Sequence, residues 1–93
     1  MAYYIHARDK EGVLDLRLKV REDHLAYTMQ FNDRIIAAGP ILADDGETMI
    51  GSVILIDLED REAVEQYCAD DPYAKAGVFE EVRIQEFRHL WPR

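Results

Sequence analysis

The sequence predicts an α+β fold with the element order β-α-β-β-α-β. Three features predict it: alternating strand patterns near both ends, an Asp-Gly hairpin signal in the middle, and two helical patterns between the strands. With right-handed crossovers, this order closes into a four-stranded antiparallel sheet with two helices on one face. The predicted architecture is therefore ferredoxin-like, in one domain over residues 1–93.

The first strand and the first helix are predicted in the N-terminal third of the chain. Residues 2–8 alternate with period two, which favours a strand, and a charged turn follows at 9–12. Residues 13–20 are ambiguous, because their leucines alternate as in a strand while their charges suit a helix. We predict an irregular lead-in there and a helix from about Arg21, whose acidic first turn suits the positive end of the helix dipole.

A hairpin is predicted in the centre of the chain. Residues 34–42 form a strand in which Pro40 indicates an edge position or a strand end. The pair Asp45-Gly46 then marks the hairpin turn. Residues 49–58 have the strongest strand pattern in the chain, and both of its faces are apolar. Such a strand is expected at the centre of a sheet that is covered on both sides.

A short connector joins the second predicted helix, 60–70, to the last strand, 78–87. Pro72 ends the helix and biases Asp71 toward an extended conformation, and Gly77 permits a positive φ before the strand. Two interpretations stay open at this point. Asp71 is either a functional carboxylate on a stiff backbone or part of an ordinary Asp-Pro turn.

The composition limits the classes of function. The formal net charge of −8 disfavours nucleic acid and anionic membrane surfaces, because both attract Lys and Arg. No apolar run has the length of a signal-peptide core or a membrane span. The single cysteine, Cys68, has no partner for an internal disulfide and is expected to be a buried structural thiol. We therefore expect a soluble cytoplasmic domain.

The second face of the predicted sheet needs a cover. Two helices cover only one face, whereas the strand at 49–58 is apolar on both. A second copy of the chain, packed sheet to sheet, is the simplest cover, so we predict a homodimer or a higher homo-oligomer. Clefts between helix, sheet and partner in such an assembly are common sites for small molecules.

Four short motifs follow one another over nearly the whole chain: RLKVREDHL at 17–25, AGP at 38–40, GS at 51–52, and DPY at 71–73 with AGVF at 76–79. In these motifs the chain resembles the YciI-like (YCII-related) family of the dimeric α+β barrel superfamily. The resemblance implies a ferredoxin-like protomer, a dimer, and a cleft with a His-Asp pair in acid/base chemistry. The wider superfamily includes muconolactone isomerases, and one branch of the family is linked to dehydrochlorination of a chlorinated hydroxyhydroquinone.

His24 and Asp71 are the candidate catalytic residues. His24 is the only side chain in the matched segments that ordinarily titrates near neutral pH, so it suits proton transfer. Asp71 would orient the ring and stabilise its cation, as the acid does in a Ser-His-Asp triad. The alternative is a histidine packed on a helix face, with an unrelated aspartate in a turn.

The candidate substrate-binding residues are Arg17, Arg21, Ser52, Pro72 and Tyr73. The two arginines suit an anionic substrate; alternatively, they form surface ion pairs with acidic residues of the same segment. The hydroxyl of Ser52 lies on an otherwise apolar strand face and needs a partner. A lone His-Asp pair leaves a metal short of ligands, and no nucleotide-binding glycine pattern occurs, so we expect neither metal nor cofactor.

Two classes of function fit these features. The first is a cofactor-independent enzyme, an isomerase, tautomerase or dehydrochlorinase-like lyase, which moves a proton of a small acidic or phenolic molecule. The second is a non-catalytic module that binds or senses a small ligand in the same cleft. The first class needs a His-Asp pair that faces a cavity, whereas the second needs only the cavity.

Overall fold

Four strands and three helices make up the fold of residues 1–92, which are the residues that the computed structural model describes. They are β1 (Ala2–Asp9), α1 (Leu14–Met29), β2 (Ile35–Leu42), β3 (Met49–Asp57), α2 (Arg61–Asp70), α3 (Pro72–Ala76) and β4 (Phe79–Phe87). The strands form one antiparallel sheet in the order β2-β3-β1-β4. The predicted ferredoxin-like α+β class is therefore confirmed. No helix in this part of the chain is long and apolar enough to cross a membrane.

One face of the sheet carries the hydrophobic core. Ile5 of β1 lies between Ile54 of β3 and Ile84 of β4, and all three side chains point to the same face. Val64 and Tyr67 of α2 pack against them and are almost fully buried. The period of two along the strands and the helical spacing along α2 therefore bring the apolar side chains together.

The opposite face of the sheet is not covered by a helix. Tyr4 of β1 points to it, beside Leu55 of β3, and both residues are half-buried. Ala37 of β2 pairs with Leu55 on the same face. The apolar character that the sequence predicts for both faces of β3 is therefore present in the structure. One face packs against helices, whereas the other has no helix, and residues 88–92 line a depression there with Ala37 and Leu55.

Helix α1 begins at Leu14, so the predicted irregular lead-in over 13–20 is wrong. Leu14 and Leu18 lie on an exposed side of the helix, at 39% and 50% exposure, whereas Arg17 is buried at 2%. A buried arginine among exposed leucines is the reverse of the usual amphipathic pattern. The hydrophobic pattern therefore does not predict a helix in this segment. As a result, His24 lies about three turns into α1 rather than near its start.

The connector after α2 contains a short helix that the sequence pattern did not predict. Asp71 is extended, with φ −62° and ψ 127°, as expected for a residue before proline. Pro72 occupies the first turn of α3, where its missing N–H is not needed. Gly77 ends α3 with a φ of 81°, which confirms the predicted positive φ. This connector packs α3 against the middle of α1.

Candidate active site

A cleft of about 210 Å³ opens between α1 and the strands β2 and β3. Its walls from the two strands are mainly apolar. Its polar groups are Arg17, Arg21, His24, Thr28, Ser52 and Tyr73. A larger depression, about 410 Å³, lies at the turn after β1 but contains no histidine. We assign the candidate site to the smaller cleft, because apolar walls with a few convergent polar groups are typical of small-molecule sites.

His24 and Asp71 are in direct contact at one end of this cleft. The Nδ1 atom of His24 lies 2.9 Å from Oδ1 of Asp71, and the two side chains are only 13% and 3% exposed. The same carboxylate oxygen accepts a hydrogen bond of 2.9 Å from the backbone N–H of Tyr73. Asp71 therefore caps α3 and holds the His24 ring with one oxygen atom.

The carboxylate determines the tautomer of the neutral His24 ring. An ionised carboxylate only accepts hydrogen bonds, so the neutral imidazole donates from Nδ1–H and carries its lone pair on Nε2. Within residues 1–92, Nε2 forms no hydrogen bond of its own. The arrangement can therefore offer the cleft a proton acceptor while the carboxylate supports the cation that forms.

The ring of Tyr73 lies between His24 and Arg17. The Tyr73 and His24 rings are stacked, with centroids 4.1 Å apart and planes at 16°. The guanidinium carbon of Arg17 lies 4.5 Å from the centroid of the same Tyr73 ring. His24 and Arg17 are seven residues apart in α1, about 10.5 Å along the helix, so the tyrosine separates them. Stacking with an imidazole and a cation restrains the orientation of all three groups.

Arg17 is buried and forms hydrogen bonds with two strands, so it is not a surface cation. Its Nη1 donates to both carboxylate oxygens of Asp9, at 2.9 and 3.0 Å. Its Nη2 donates to the carbonyl of Gly51 at 3.0 Å and to the hydroxyl of Ser52 at 2.8 Å. These bonds satisfy the Ser52 hydroxyl and link α1 to β1 and β3. Burial raises the pKa of Asp9 above its usual value, and the Arg17 charge opposes that rise.

The surface ion pairs considered for the two arginines do not form. The partner of Arg17 is Asp9, at the end of β1 and outside the segment around Arg17. Arg21 is exposed, lines the cleft, and forms no ion pair or hydrogen bond within the part of the chain that the structure describes. It is near enough to Tyr73 for its charge to oppose the burial-driven rise in the pKa of that hydroxyl. Arg21 is thus the cation available to a ligand.

Four of the predicted residues come together with His24 and Asp71 around the cleft, namely Arg17, Arg21, Ser52 and Tyr73. Pro72, at the start of α3, does not line the cleft, so the prediction that it contacts substrate there is not supported. Sequence reasoning missed Asp9 as the partner of Arg17. Its only signal is an acidic side chain at a strand end, and that is common in turns.

The comparisons with known proteins identify relatives over almost the whole chain. Protein YciI from Escherichia coli O6:H1 is 36% identical over 98 aligned positions, which cover 98% of this chain and all of the relative. The structure of 5-chloro-2-hydroxyhydroquinone dehydrochlorinase (TftG) from Burkholderia phenoliruptrix, in complex with 2,5-dihydroxybenzoquinone, superimposes with a TM-score of 0.89. It is 28% identical, and the match covers 96% of this chain and 95% of that one.

A more distant structure shares the fold alone. SnoaB, a cofactor-independent oxygenase from Streptomyces nogalater, superimposes with a TM-score of 0.62 at 13% identity, over 99% of this chain and 97% of that one. The YCII-related domain family matches residues 1–88. Together with the 36% identity to YciI over the full length of that protein, this match shows that the chain belongs to the YCII-related family.

Proposed function

We propose that this protein is a cofactor-independent enzyme that moves a proton of a small acidic or phenolic molecule. In this proposal His24 is the acid/base residue, and Asp71 orients it. The observation that carries the proposal is the 2.9 Å contact between His24 Nδ1 and Asp71 Oδ1, in a cleft with apolar walls. The likeness to TftG, which is a dehydrochlorinase in complex with 2,5-dihydroxybenzoquinone, supports a single-ring substrate.

The proposed roles follow from the positions of the side chains. His24 Nε2 accepts a proton from the substrate, and the Asp71 carboxylate stabilises the imidazolium that results. Arg21, which has no partner within residues 1–92, pairs with an anionic group of the substrate. The apolar walls of the cleft exclude water and strengthen these charge interactions.

A hydrogen-exchange experiment tests the proposed proton transfer. The probe is 2,5-dihydroxybenzoquinone, whose ring hydrogens exchange with deuterium oxide through proton addition and removal at carbon. We expect the wild-type protein to accelerate this exchange and the His24→Gln variant to lose the acceleration. The matched control is His6→Gln, because His6 lies on the other face of the sheet and outside the cleft. Equal exchange rates with the wild-type protein and His24→Gln would contradict the proposal.

The second candidate is a non-catalytic module that binds or senses the same class of ligand. The cleft itself favours it, since apolar walls and an available arginine are sufficient for binding. A binding module would raise its melting temperature with 2,5-dihydroxybenzoquinone, by mass action, without accelerating exchange. Thermal shift and exchange on the same samples therefore separate the two functions.

We also propose that the protein acts as a homodimer. The sheet face without helices carries Leu55 and Tyr4 at its centre, and an identical face of a second copy would complement it. The helices would then lie outside, and the clefts under α1 would stay accessible. This association has no role in the proton transfer proposed above.

A further inference from the structure

The hydroxyl of Tyr73 is an unused polar group at the candidate site. Tyr73 is only 1% exposed, yet its hydroxyl forms no hydrogen bond within residues 1–92. In that part of the chain, Arg17 Nε is the only side-chain nitrogen or oxygen that is sealed from solvent and lacks a partner. The Tyr73 hydroxyl is not sealed, so the little surface that Tyr73 exposes includes its oxygen. Because Tyr73 lines the cleft, we infer that this oxygen faces the cleft.

Contacts of the Tyr73 ring and backbone fix the position of its hydroxyl. Stacking on His24 and Arg17 restrains the ring from two sides, and Phe79 packs against it edge-on with a centroid distance of 5.8 Å. The Tyr73 backbone N–H donates to Asp71, and its carbonyl accepts from Val78 N–H at 3.0 Å. A side chain held this firmly, with an unpaired hydroxyl at a cleft, is preorganised for a ligand.

We propose that Tyr73 is a second catalytic residue, whose hydroxyl donates to the substrate oxygen that gains negative charge when His24 removes a proton. This inference rests on the proposed function and narrows its substrate class. The substrate must have an acidic C–H next to a carbonyl group, as the keto tautomers of hydroxyquinones and other enolisable ring ketones have. Because the His24 and Tyr73 ring centroids are only 4.1 Å apart, Nε2 and the phenol oxygen can contact one small molecule.

The proposed step balances without a co-reactant. His24 Nε2 takes the proton as the C–H bond breaks, and the electron pair moves through the conjugated system to the carbonyl oxygen. The Tyr73 O–H passes its proton to that oxygen, which gives an enol and a phenolate. The phenolate recovers this proton from the enol as the imidazolium protonates a conjugated carbon. The result is a tautomer, with no net oxidation or reduction.

The charges around Tyr73 suit both the protonated hydroxyl that donates and the phenolate that forms after donation. Burial raises the pKa of Tyr73 above its ordinary value, so the hydroxyl is protonated at neutral pH, as a donor must be. Arg17 and Arg21 oppose that rise, because they stabilise the phenolate. The same two arginines would stabilise the phenolate that forms briefly during proton transfer.

The Tyr73→Phe substitution tests the inference, because it removes only the hydroxyl. That group has no protein partner, so we expect an unchanged melting temperature. We expect the affinity for 2,5-dihydroxybenzoquinone to fall by about ten- to a hundred-fold, the usual effect of losing a hydrogen bond to a charged oxygen. Deuterium exchange should fall with it. The matched control is Tyr3→Phe, since Tyr3 is also buried, at 4% exposure, and lies outside the cleft.

Each outcome has one meaning. Wild-type affinity and exchange in Tyr73→Phe, with exchange lost in His24→Gln, would overturn this inference alone. Normal exchange in His24→Gln would overturn the proposed function, and this inference with it, whatever Tyr73→Phe shows. A lower melting temperature in Tyr73→Phe than in Tyr3→Phe would make the hydroxyl structural and would also overturn the inference. A wild-type protein that neither binds nor exchanges the probe would overturn both.

Discussion

Arg17 and Asp9 form an ion pair that is almost fully withdrawn from solvent. Their side chains are 3% and 5% exposed, and Arg17 Nη1 lies 2.9 Å from Asp9 Oδ1. The pair joins the end of β1 to α1, and the same guanidinium stacks on Tyr73. A change at this pair should therefore affect both the stability of the fold and the geometry of the cleft.

Arg17→Met should destabilise the protein by about 3 kcal/mol, because it leaves the Asp9 carboxylate buried without its partner. Urea denaturation measures the change. The matched control is Arg34→Met, which breaks an exposed pair with Glu59 and should change the stability by less than about 1 kcal/mol. Adding Asp9→Asn to Arg17→Met should recover part of the loss. Equal effects of the two arginine substitutions would show that burial does not strengthen the Arg17 pair.

Gly51→Ala should destabilise the fold by about 1 to 3 kcal/mol through overpacking. A Cβ atom at this position would lie 2.5 Å from the backbone oxygen of Ala7, which is fixed in the central strand β1. Gly39→Ala is the control, since a Cβ atom there meets nothing within 4 Å and Gly39 also lies in the sheet. Denaturation of the two variants should differ clearly. A stable Gly51→Ala protein would mean that β1 and β3 separate easily.

The hairpin turn should make stability depend on acidic pH. The Asp45 carboxylate accepts hydrogen bonds from the backbone N–H groups of Glu47 and Thr48, both at 2.8 Å. Hydrogen bonds from Thr48 and Glu47 lower the pKa of Asp45 to about 2. The unfolded chain should titrate at about 3.9. A lowered pKa in the folded state means that this contribution to stability is present above pH 4 and is lost as the pH falls toward 2.

The variant Asp45→Asn measures this contribution. Its melting temperature should lie below that of the wild-type protein at neutral pH, and the difference should shrink as the pH falls from 4 to 2. Asp44→Asn serves as the control, because no hydrogen bond of its side chain contributes to the turn. A constant difference across this pH range would show that the carboxylate charge of Asp45 is irrelevant.

The proposed homodimer should be visible in sedimentation equilibrium at low micromolar concentration. A lysine in place of Leu55, at the centre of the sheet face without helices, should shift the protein to monomer, because it would bury an unpaired charge. The matched control is Leu18→Lys, at an exposed position of α1. A monomeric wild-type protein, or dissociation in Leu18→Lys rather than Leu55→Lys, would contradict the proposed interface.

The sequence predicted the sheet better than the helices, for a physical reason. The period of two is strong in β1 and β3, because alternate residues such as Ile5 and Ile54 go into one core. The sequence pattern predicts the start of helix α1 too late, because Arg17 occupies a buried position that such patterns assign to apolar side chains. The five-residue helix α3 is too short for any periodicity to show.

The candidate site was predicted only in part. The resemblance to the family predicts the pairing of His24 with Asp71. These residues are 47 positions apart in the sequence and in contact in the fold. The position of Tyr73 between His24 and Arg17 depends on how α3 crosses α1, and a local pattern holds no information about such a crossing. The pairing of Asp9 with Arg17 is also absent from local patterns, because it depends on how α1 packs on the sheet.

Nitrogen-15 NMR of the neutral His24 ring tests the central claim most directly. At about pH 9, where imidazole side chains are neutral, long-range nitrogen–proton correlations show which ring nitrogen carries the proton. Loss of one signal set in His24→Gln assigns the ring, and His6 provides a comparison outside the cleft. The Asp71 contact predicts that His24 is protonated at Nδ1 and bare at Nε2. A His24 ring protonated at Nε2 would show that Asp71 does not hold it, and the proposed acid/base pair would be wrong.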